Sequence, residues 1–424
     1  MGVESPDVRV LHVSWEYPPV VYGGLGRHVH ALAEAQAVAG HDVTVLTQQP
    51  PGAAARERIN GVEVVRVEPP TPTVPREPDP LVAWVERLDA RMAREGADLV
   101  RALEPQVVHA HDWVVNQAAR ETRRYAGAPL VVTIHATEAG RHQGWITSDL
   151  SRRIHSIEHQ LISRAQRVIT CSNAMRIEVE TAFNTEPERI DVIPNGIDLG
   201  HWQIAAETRA YARTQFAPTG SLIVYVGRLE WEKGVHTLID SLPALAAKHS
   251  DLHVVIAGTG TYEAMLHQHG RELTESGVVT FTGWLPEDEL QALAAAADVA
   301  VVPSLYEPFG LVALEAGALG IPLVVARTGG LSDIVTDGVS GSTFEAGNAA
   351  ELSAALDDVL TDPVAAGHRA NRLTALLFER YDWRMIARTT NTTYERAIEQ
   401  SRTNPRALDY PTPPGPDGNV LGRG

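Results

Sequence analysis

The chain lacks several features that mark large protein classes. Its 424 residues include one cysteine, Cys171. A lone cysteine closes no internal disulfide and fits neither a Cys/His zinc pattern nor a CxxC redox pair, so a reducing, cytoplasmic setting is expected. Lys and Arg number 36 against 53 Asp and Glu, a net charge of −17, and no basic run interrupts the acidic excess. Nucleic acid and anionic lipid both require a basic footprint, so neither is an expected partner. No stretch approaches the ~18–20 uninterrupted apolar residues that span a bilayer. The opening from Val8 is too short and too polar for a signal sequence. A soluble protein without integral membrane contact is the expectation.

What is present is a rhythm of short apolar runs separated by Ala-rich amphipathic stretches. The first series comprises residues 8–14, 42–47, 62–67, 106–110, 130–134, 167–171 and 190–194. The second comprises residues 222–226, 252–257, 278–282, 299–303 and 322–326. Runs of this length, rich in Val and Ile and bounded by Gly, Pro or Asp, predict parallel strands buried on both faces and crossed over by helices. Two series predict two doubly wound α/β domains. The turn-rich Pro194-Asn195-Gly196-Ile197-Asp198 closes the first, and residues 208–214 read as a short connecting helix. Residues 69–80 form a Pro-dense loop, either a surface excursion or the border of a cleft. Residues 383–400 read as a helix, and residues 403–424, rich in Pro and Gly, as a disordered tail.

Chemistry is expected where strands end. Gly23 and Gly24 follow the first strand at the start of a helix, where bare backbone N–H groups either cradle a phosphate or simply make a tight turn. Their spacing is not the GxGxxG of a dinucleotide fold. After the strand at 222–226, Arg228 and Lys233 sit five apart around a Gly turn, as a diphosphate clamp or as two solvated charges. After the strand at 299–303 comes Glu307-Pro308-Phe309-Gly310-Leu311, with Glu315 further along a helix expected to begin near Phe309. That cluster offers free N–H groups to phosphate and two carboxylates to sugar and ribose hydroxyls. His111, Asp112 and Trp113 end one further strand and His135 another. They carry no HExxH-like pair, and the chain has no Asp-x-Asp, so hydrogen bonding to a polar substrate is favoured over a metal.

Together these motifs resemble the retaining glycosyltransferases of family 4, on the GT-B fold, and their bacterial glycogen-synthase-like branch. The matching elements are Ser14-Trp15-Glu16-Tyr17-Pro18-Pro19, Gly23-Gly24-Leu25-Gly26, His109 to Trp113, His135, Pro194 to Asp198, Gly227-Arg228, Lys233-Gly234, and Glu307 with Glu315. They stand in family order over residues 8–385. The resemblance implies two Rossmann-like domains facing a cleft: residues 1–198, completed by a last helix at 384–402, and residues 199–383. It also implies that Arg228 and Lys233 grip the diphosphate of a nucleotide-sugar, with Gly23, Gly24, Phe309, Gly310 and Leu311 beside it. Glu307 would meet the hexose and Glu315 the ribose. His135 and Asp112 would line the reaction centre, and Glu16, Tyr17 and Trp113 the acceptor side. No metal or other cofactor is implied.

The implied reaction transfers glucose from UDP- or ADP-glucose to an α-1,4-glucan, or to a maltose-1-phosphate or methylglucose-polysaccharide acceptor. Val21-Tyr22 stand where ADP-glucose-dependent synthases carry Lys-Thr, which removes one cation from the phosphate site. The alternative substrate set is a mannosyl, galactosyl or N-acetylglucosaminyl donor with a lipid or small-molecule acceptor. A dinucleotide-dependent oxidoreductase would need the GxGxxG that is absent.

Overall fold

The computed structural model describes residues 7–75, 77–403 and 418–421. The chain divides into a unit of Met1–Gly196 with Trp383–Gly424 and a unit of Ile197–Asp382. In chain order the first unit contains β1 (Arg9–Val13), β2 (Asp42–Gln48), β3 (Arg56–Ile59), β4 (Val62–Val67), β5 (Val107–His111), β6 (Leu130–Ile134), β7 (Trp145–Ile146), β8 (Arg167–Thr170) and β9 (Ile190–Val192). The second contains β10 (Ser221–Val226), β11 (Leu252–Ala257), β12 (Val279–Gly283), β13 (Val299–Val302), β14 (Leu323–Ala326) and β15 (Ser342–Phe344). A last strand, β16, is Gly418–Asn419. The sheets run β3-β4-β2-β1-β5-β6-β8-β9 and β12-β11-β10-β13-β14-β15.

All twelve apolar runs are strands, with bounds within two residues of those read from sequence. Their Val- and Ile-rich interiors are buried because helices cover both faces of each parallel sheet. β3, β7 and β15 carried no apolar run to announce them. β3 is joined to β4 by Asn60-Gly61, both at positive φ, and pairs with it antiparallel. An Asn-Gly pair between strands is the sequence signal of such a hairpin. The helix from Ala206 to Phe216 brackets the connecting helix expected at 208–214. A long helix begins at Pro78, inside the Pro-dense stretch 69–80.

The expected tail needs correction at its end. Gly418–Asn419 pair antiparallel with β7, and the Val420 N–H donates to the Gly144 carbonyl. One short ladder and one further backbone bond hold this segment where side-chain composition gave no hint of a strand. Residues 404–417 lie outside the described residues.

In both sheets the winding direction reverses beside the first strand: β2 and β5 flank β1, and β11 and β13 flank β10. Open α/β sheets bind ligands at the carboxyl ends of strands at such a switch point. Within the first unit the helix Gly24–Val38 packs Val29, Leu32 and Ala33 against Ile386, Ala387 and Tyr394 of the helix Trp383–Thr403. Each such Val or Leu contributes about 1.5–3 kcal/mol by leaving water. Polar contacts fix the rotation of that last helix. Asp191 on β9 accepts from Arg167 Nε (2.9 Å) and Nη2 (2.6 Å), and from Thr393 and Arg396 of the helix. A bidentate arginine with both partners largely buried resists swivelling in a way an exposed ion pair does not. Among the described residues no helix is long and apolar enough to cross a membrane.

Where the last helix starts, Trp383 lies over Gly196, and a Cβ there would sit 2.6 Å from the indole Cδ2. Gly196→Ala is therefore expected to lose about 1–3 kcal/mol in urea unfolding through overpacking. Gly367→Ala, in a helix with open space around it, is expected to be neutral or to gain about 0.5–1 kcal/mol. Equal effects at the two positions would contradict the packing.

Candidate active site

Two clusters form, one at each switch point. In the second unit the loop after β10 carries Arg228 and Lys233, and the loop after β13 carries Glu307. Lys233 Nζ donates to Glu307 Oε2 at 2.8 Å, and Ser304 Oγ lies 3.3 Å from the same oxygen. The two loops are also tied by backbone, since the Leu305 N–H donates to the Glu232 carbonyl at 2.8 Å. That approach needs Gly234: its φ is +67°, and a Cβ would fall 2.0 Å from the Pro303 carbonyl oxygen. Arg228 is half-exposed and makes a loose contact with Glu232 at 3.3 Å. The chain has two lysines, Lys233 and Lys248, beside 34 arginines. A compact ammonium is therefore used at this position in a protein that elsewhere nearly always uses guanidinium.

The helix expected near Phe309 runs Leu311–Ala318, with Gly310 as its N-cap at φ +111°. Its first N–H groups have no partner within the helix, and the helix dipole favours an anion there. Phe309 is a correction: its ring is buried, packed toward Tyr381, so only its backbone is left to meet a ligand. Glu315 is 8% exposed and lines a small apolar cavity with Trp202, Val224, Val226 and Val312.

In the first unit three sequence assignments change. Glu16 is 4% exposed, and its Oε2 accepts from the N–H groups of Tyr22 (2.7 Å) and Gly23 (3.1 Å). An internal carboxylate thus takes the Gly23 N–H that was expected to meet phosphate, and Glu16 braces the glycine turn instead of meeting the acceptor. Tyr17, 1% exposed, is a core residue beside Val29 and Ala33 and is likewise unavailable to an acceptor. No side chain crowds Gly23, which leaves the backbone approachable there. Gly24 is the first helical residue after it. Trp113 opens a 3-10 turn and is half-buried.

Asp112, at φ +60°, is buried, and its Oδ1 accepts from the His135 N–H at 2.7 Å. It shapes the loop that presents His135. Burial pushes its pKa up to about 7 against the opposing pull of the His135 and Ala136 N–H groups. Glu158, buried below the same loop, accepts from the Glu138 N–H at 2.8 Å.

Behind His135 lies a set of imidazoles of which the sequence reading caught only part. His12 Nδ1 is 3.1 Å from His111 Nε2, and His111 Nδ1 is 3.3 Å from His135 Nε2. His12 Nε2 lies 2.8 Å from the Gln36 amide, which continues to Asn391 and Tyr394 on the last helix. His28 Nδ1 meets Asn195 Oδ1 at 2.7 Å, and His109 bridges Tyr394 and Thr133. Burial lowers the pKa of His12 and of His28 to about 4, and holds His109, His111 and His135 well below the usual histidine value. His28, His111 and His135 bring ring nitrogens within 4.8 Å of one another, as do His12, His109 and His111. His12, Gln36, Asn391 and Tyr394 went unnoticed because nothing local marks them. Two polar residues on the buried face of the helix Gly24–Val38, His28 and Gln36 on either side of Leu32, were the one available signal.

Comparison with known proteins matches residues 22–201 to the family described as Glycosyltransferase Family 4 and residues 208–391 to Glycosyl transferases group 1. The chain is 42% identical over 408 residues to a protein named glycogen synthase from Mycobacterium tuberculosis, covering 93% of this chain and 96% of that one. Its fold is similar to that of a sucrose-phosphate synthase from Thermosynechococcus elongatus, with TM-score 0.77 and 22% identity over 92% of this chain and 99% of that one. It is also similar to the catalytic domain of starch synthase IV from Arabidopsis thaliana bound to ADP and acarbose, with TM-score 0.76 and 18% identity over 93% and 100%.

The buried imidazoles make stability depend on acid. They stay neutral in the fold and take up protons on unfolding, so their contribution is complete above pH ~6.5 and is lost as pH falls toward about 4. Asp112 acts oppositely, since its folded pKa is raised and stability falls as pH climbs from ~4 to about 7. Urea midpoints are expected to drop as pH falls from 6.5 to 4.5. Asp112→Asn should gain on the wild type as pH rises from 5 to 8, and parallel profiles would contradict a buried, raised carboxyl.

Proposed function

The chain belongs to glycosyltransferase family 4, and from that premise we propose that it transfers glucose from UDP- or ADP-glucose to an α-1,4-glucan or a related saccharide, with retention at the anomeric carbon. The observation that carries the reading is the Arg228, Lys233 and Glu307 cluster at the second switch point. It sits in a chain that aligns over nearly its whole length with a protein named glycogen synthase.

In this reading the donor diphosphate lies against the N–H groups of Gly310 and Leu311. Arg228 and Lys233 neutralise the charge that grows on the diphosphate as the glycosyl bond breaks, and a cation fixed beforehand does so without reorganisation. Lys233 has three donors and spends one on Glu307, so the others remain for phosphate oxygens. Glu307 keeps Oε1 for hydroxyls of the hexose. Glu315 serves the ribose, Gly24 adds backbone N–H, His135 stands at the transferred sugar and Trp113 on the acceptor side. Charge neutralisation is assigned to these side chains, with no metal or other cofactor in any step.

Nucleotide release measured with UDP-glucose, ADP-glucose and GDP-mannose, each with and without a malto-oligosaccharide, tests the reading. Acceptor-dependent release from a glucose donor is expected, and release from GDP-mannose alone would refute it. Arg228→Ala and Lys233→Ala should each lower turnover at least ~100-fold, since removing one such group costs about 3 kcal/mol or more of barrier. Lys248→Ala, which breaks an exposed pair with Asp357, should leave turnover unchanged. Near-normal turnover in Lys233→Ala would remove the leaving-group assignment.

A further inference from the structure

The hydrogen bonds behind His135 have a direction, and that direction is set far from it. The backbone N–H of Val8 can only donate, and it donates to His41 Nδ1 at 3.1 Å. His41 therefore holds a lone pair at Nδ1 and its proton at Nε2. His41 Nε2 in turn contacts the side-chain amide of Asn391. As placed, Asn391 Nδ2 faces His41 Nε2 and Gln36 Nε2 faces Asn391 Oδ1 at 3.0 Å. Accepting the His41 proton requires a half-turn of both amides, so that Asn391 presents its oxygen to His41 and its NH2 to Gln36. An amide exchanges its oxygen and nitrogen by a half-turn with no change of shape, so the hydrogen-bond network decides the orientation.

The same logic passes along the chain. The amide position of Gln36 that lies 2.8 Å from His12 Nε2 is placed as Oε1. Once Gln36 is turned to receive the Asn391 proton at its oxygen, that position becomes the NH2 and donates to His12. His12 Nε2 then accepts, and the His12 proton sits on Nδ1, donating to His111 Nε2 at 3.1 Å. The His111 proton sits on Nδ1 and points at His135 Nε2, 3.3 Å away. A side branch allows the same order: Tyr394 Oη lies 3.2 Å from the Gln36 position placed as Nε2 and 2.7 Å from His109 Nδ1, and with Gln36 turned its hydroxyl takes the His109 proton and passes its own to the Gln36 oxygen. The opposite direction would leave His41 accepting at both nitrogens, an imidazolate.

We propose that Gln36 and Asn391 are positioning residues which, through His12 and His111, hold His135 as the tautomer protonated at Nδ1, so that His135 meets the transferred sugar as a hydrogen-bond donor and not as a base. The sugar-side placement of His135 rests on the proposed function, whereas the tautomer rests on the hydrogen bonds alone. With Nε2 occupied by His111, Nδ1–H is the ring proton left for a ligand, and it suits a hydroxyl or ring oxygen that accepts. Partners one step behind a functional histidine commonly fix its tautomer and orientation in this way.

The test reads the tautomer directly, in the full-length wild-type chain carrying 15N-histidine, by long-range 1H–15N correlation at pH 7.5, with His135 assigned by comparison with His135→Asn. Protonation of His135 at Nδ1 is expected, and protonation at Nε2 would overturn the proposal. Gln36→Met, which cuts the chain, should leave His135 a mixture of tautomers and lower kcat about 10-fold, with a smaller change in the donor KM. Gln36→Glu should rescue both readouts, because either a carboxyl proton donated to His12 or an ion pair with protonated His12 leaves His12 Nδ1–H pointing at His111. An unaltered His135 tautomer with full kcat in Gln36→Met would overturn the assignment, and the wild-type spectrum decides it even where that variant fails to fold. A stoichiometric zinc complex lost in His111→Asn would also overturn it, since a metal needs a lone pair where the chain places a proton. Absence of turnover with every donor would count instead against the glucosyl reading, because the tautomer is read without substrate.

Discussion

A parallel strand buried on both faces can offer polar chemistry only where it ends. That constraint governs both units. The helices that bury the strands also consume their backbone hydrogen bonds in ladders and leave the carboxyl-end loops as the place where side chains and free N–H groups converge. Arg228, Lys233 and Glu307 come from the ends of β10 and β13, which are neighbours in the sheet although 74 residues separate Lys233 from Glu307. Asp112 and His135 come from the ends of β5 and β6, again neighbours. Sheet order, more than any motif, places these residues within reach of one another.

His12, His109 and His111 break the rule, since they lie within β1 and β5 and are wholly buried. An unpaired imidazole in that position would cost several kcal/mol in lost hydration. The fold meets that cost by pairing every ring nitrogen of the three with another imidazole, an amide or a hydroxyl. One of those partners, Tyr394, and Asn391 behind Gln36 sit on the helix Trp383–Thr403, so this helix completes the polar interior of the first unit as well as its apolar core. This explains why Asp191 holds that helix through Thr393 and Arg396: a small rotation would break Asn391 and Tyr394 away from Gln36.

Much of this was legible in the amino-acid order, and what was not has a common cause. The strands could be read because a strand buried on both faces needs an unbroken run of Val, Ile or Leu. Short strands with polar residues, β3 and β15, need only a neighbour to pair with, and a neighbour is invisible locally. The charged residues of the second unit could be read because Arg228, Lys233 and Glu307 stand beside the turn signals of Gly227, Gly234 and Pro308. Glu16 and Tyr17 misled for the opposite reason: they stand beside the same kind of signal, yet the turn folds back and encloses them. Gln36 and Asn391 form their contact across 355 residues, and no periodicity encodes a hydrogen bond between two amides.

The pair of Lys233 and Glu307 illustrates how a contact internal to a site can serve a ligand that has yet to arrive. A free lysine on a loop would sample many rotamers and lose about 2 kcal/mol of entropy on being fixed. Held by Glu307, and with the neighbouring Glu232 carbonyl tied to the loop after β13 through the Leu305 N–H, Lys233 has given up much of that freedom during folding. Glu307 also offsets the charge of Lys233, as Glu232 does that of Arg228. In the proposed reaction a donor diphosphate need not displace Lys233 from Glu307, because an ammonium has donors to spare. Arginine would supply more donors but in a fixed plane, and could not serve a carboxylate on one side and a phosphate on another as freely. On the proposed function, that geometric demand is the reason for a lysine at this position in a chain whose other cations are almost all arginine.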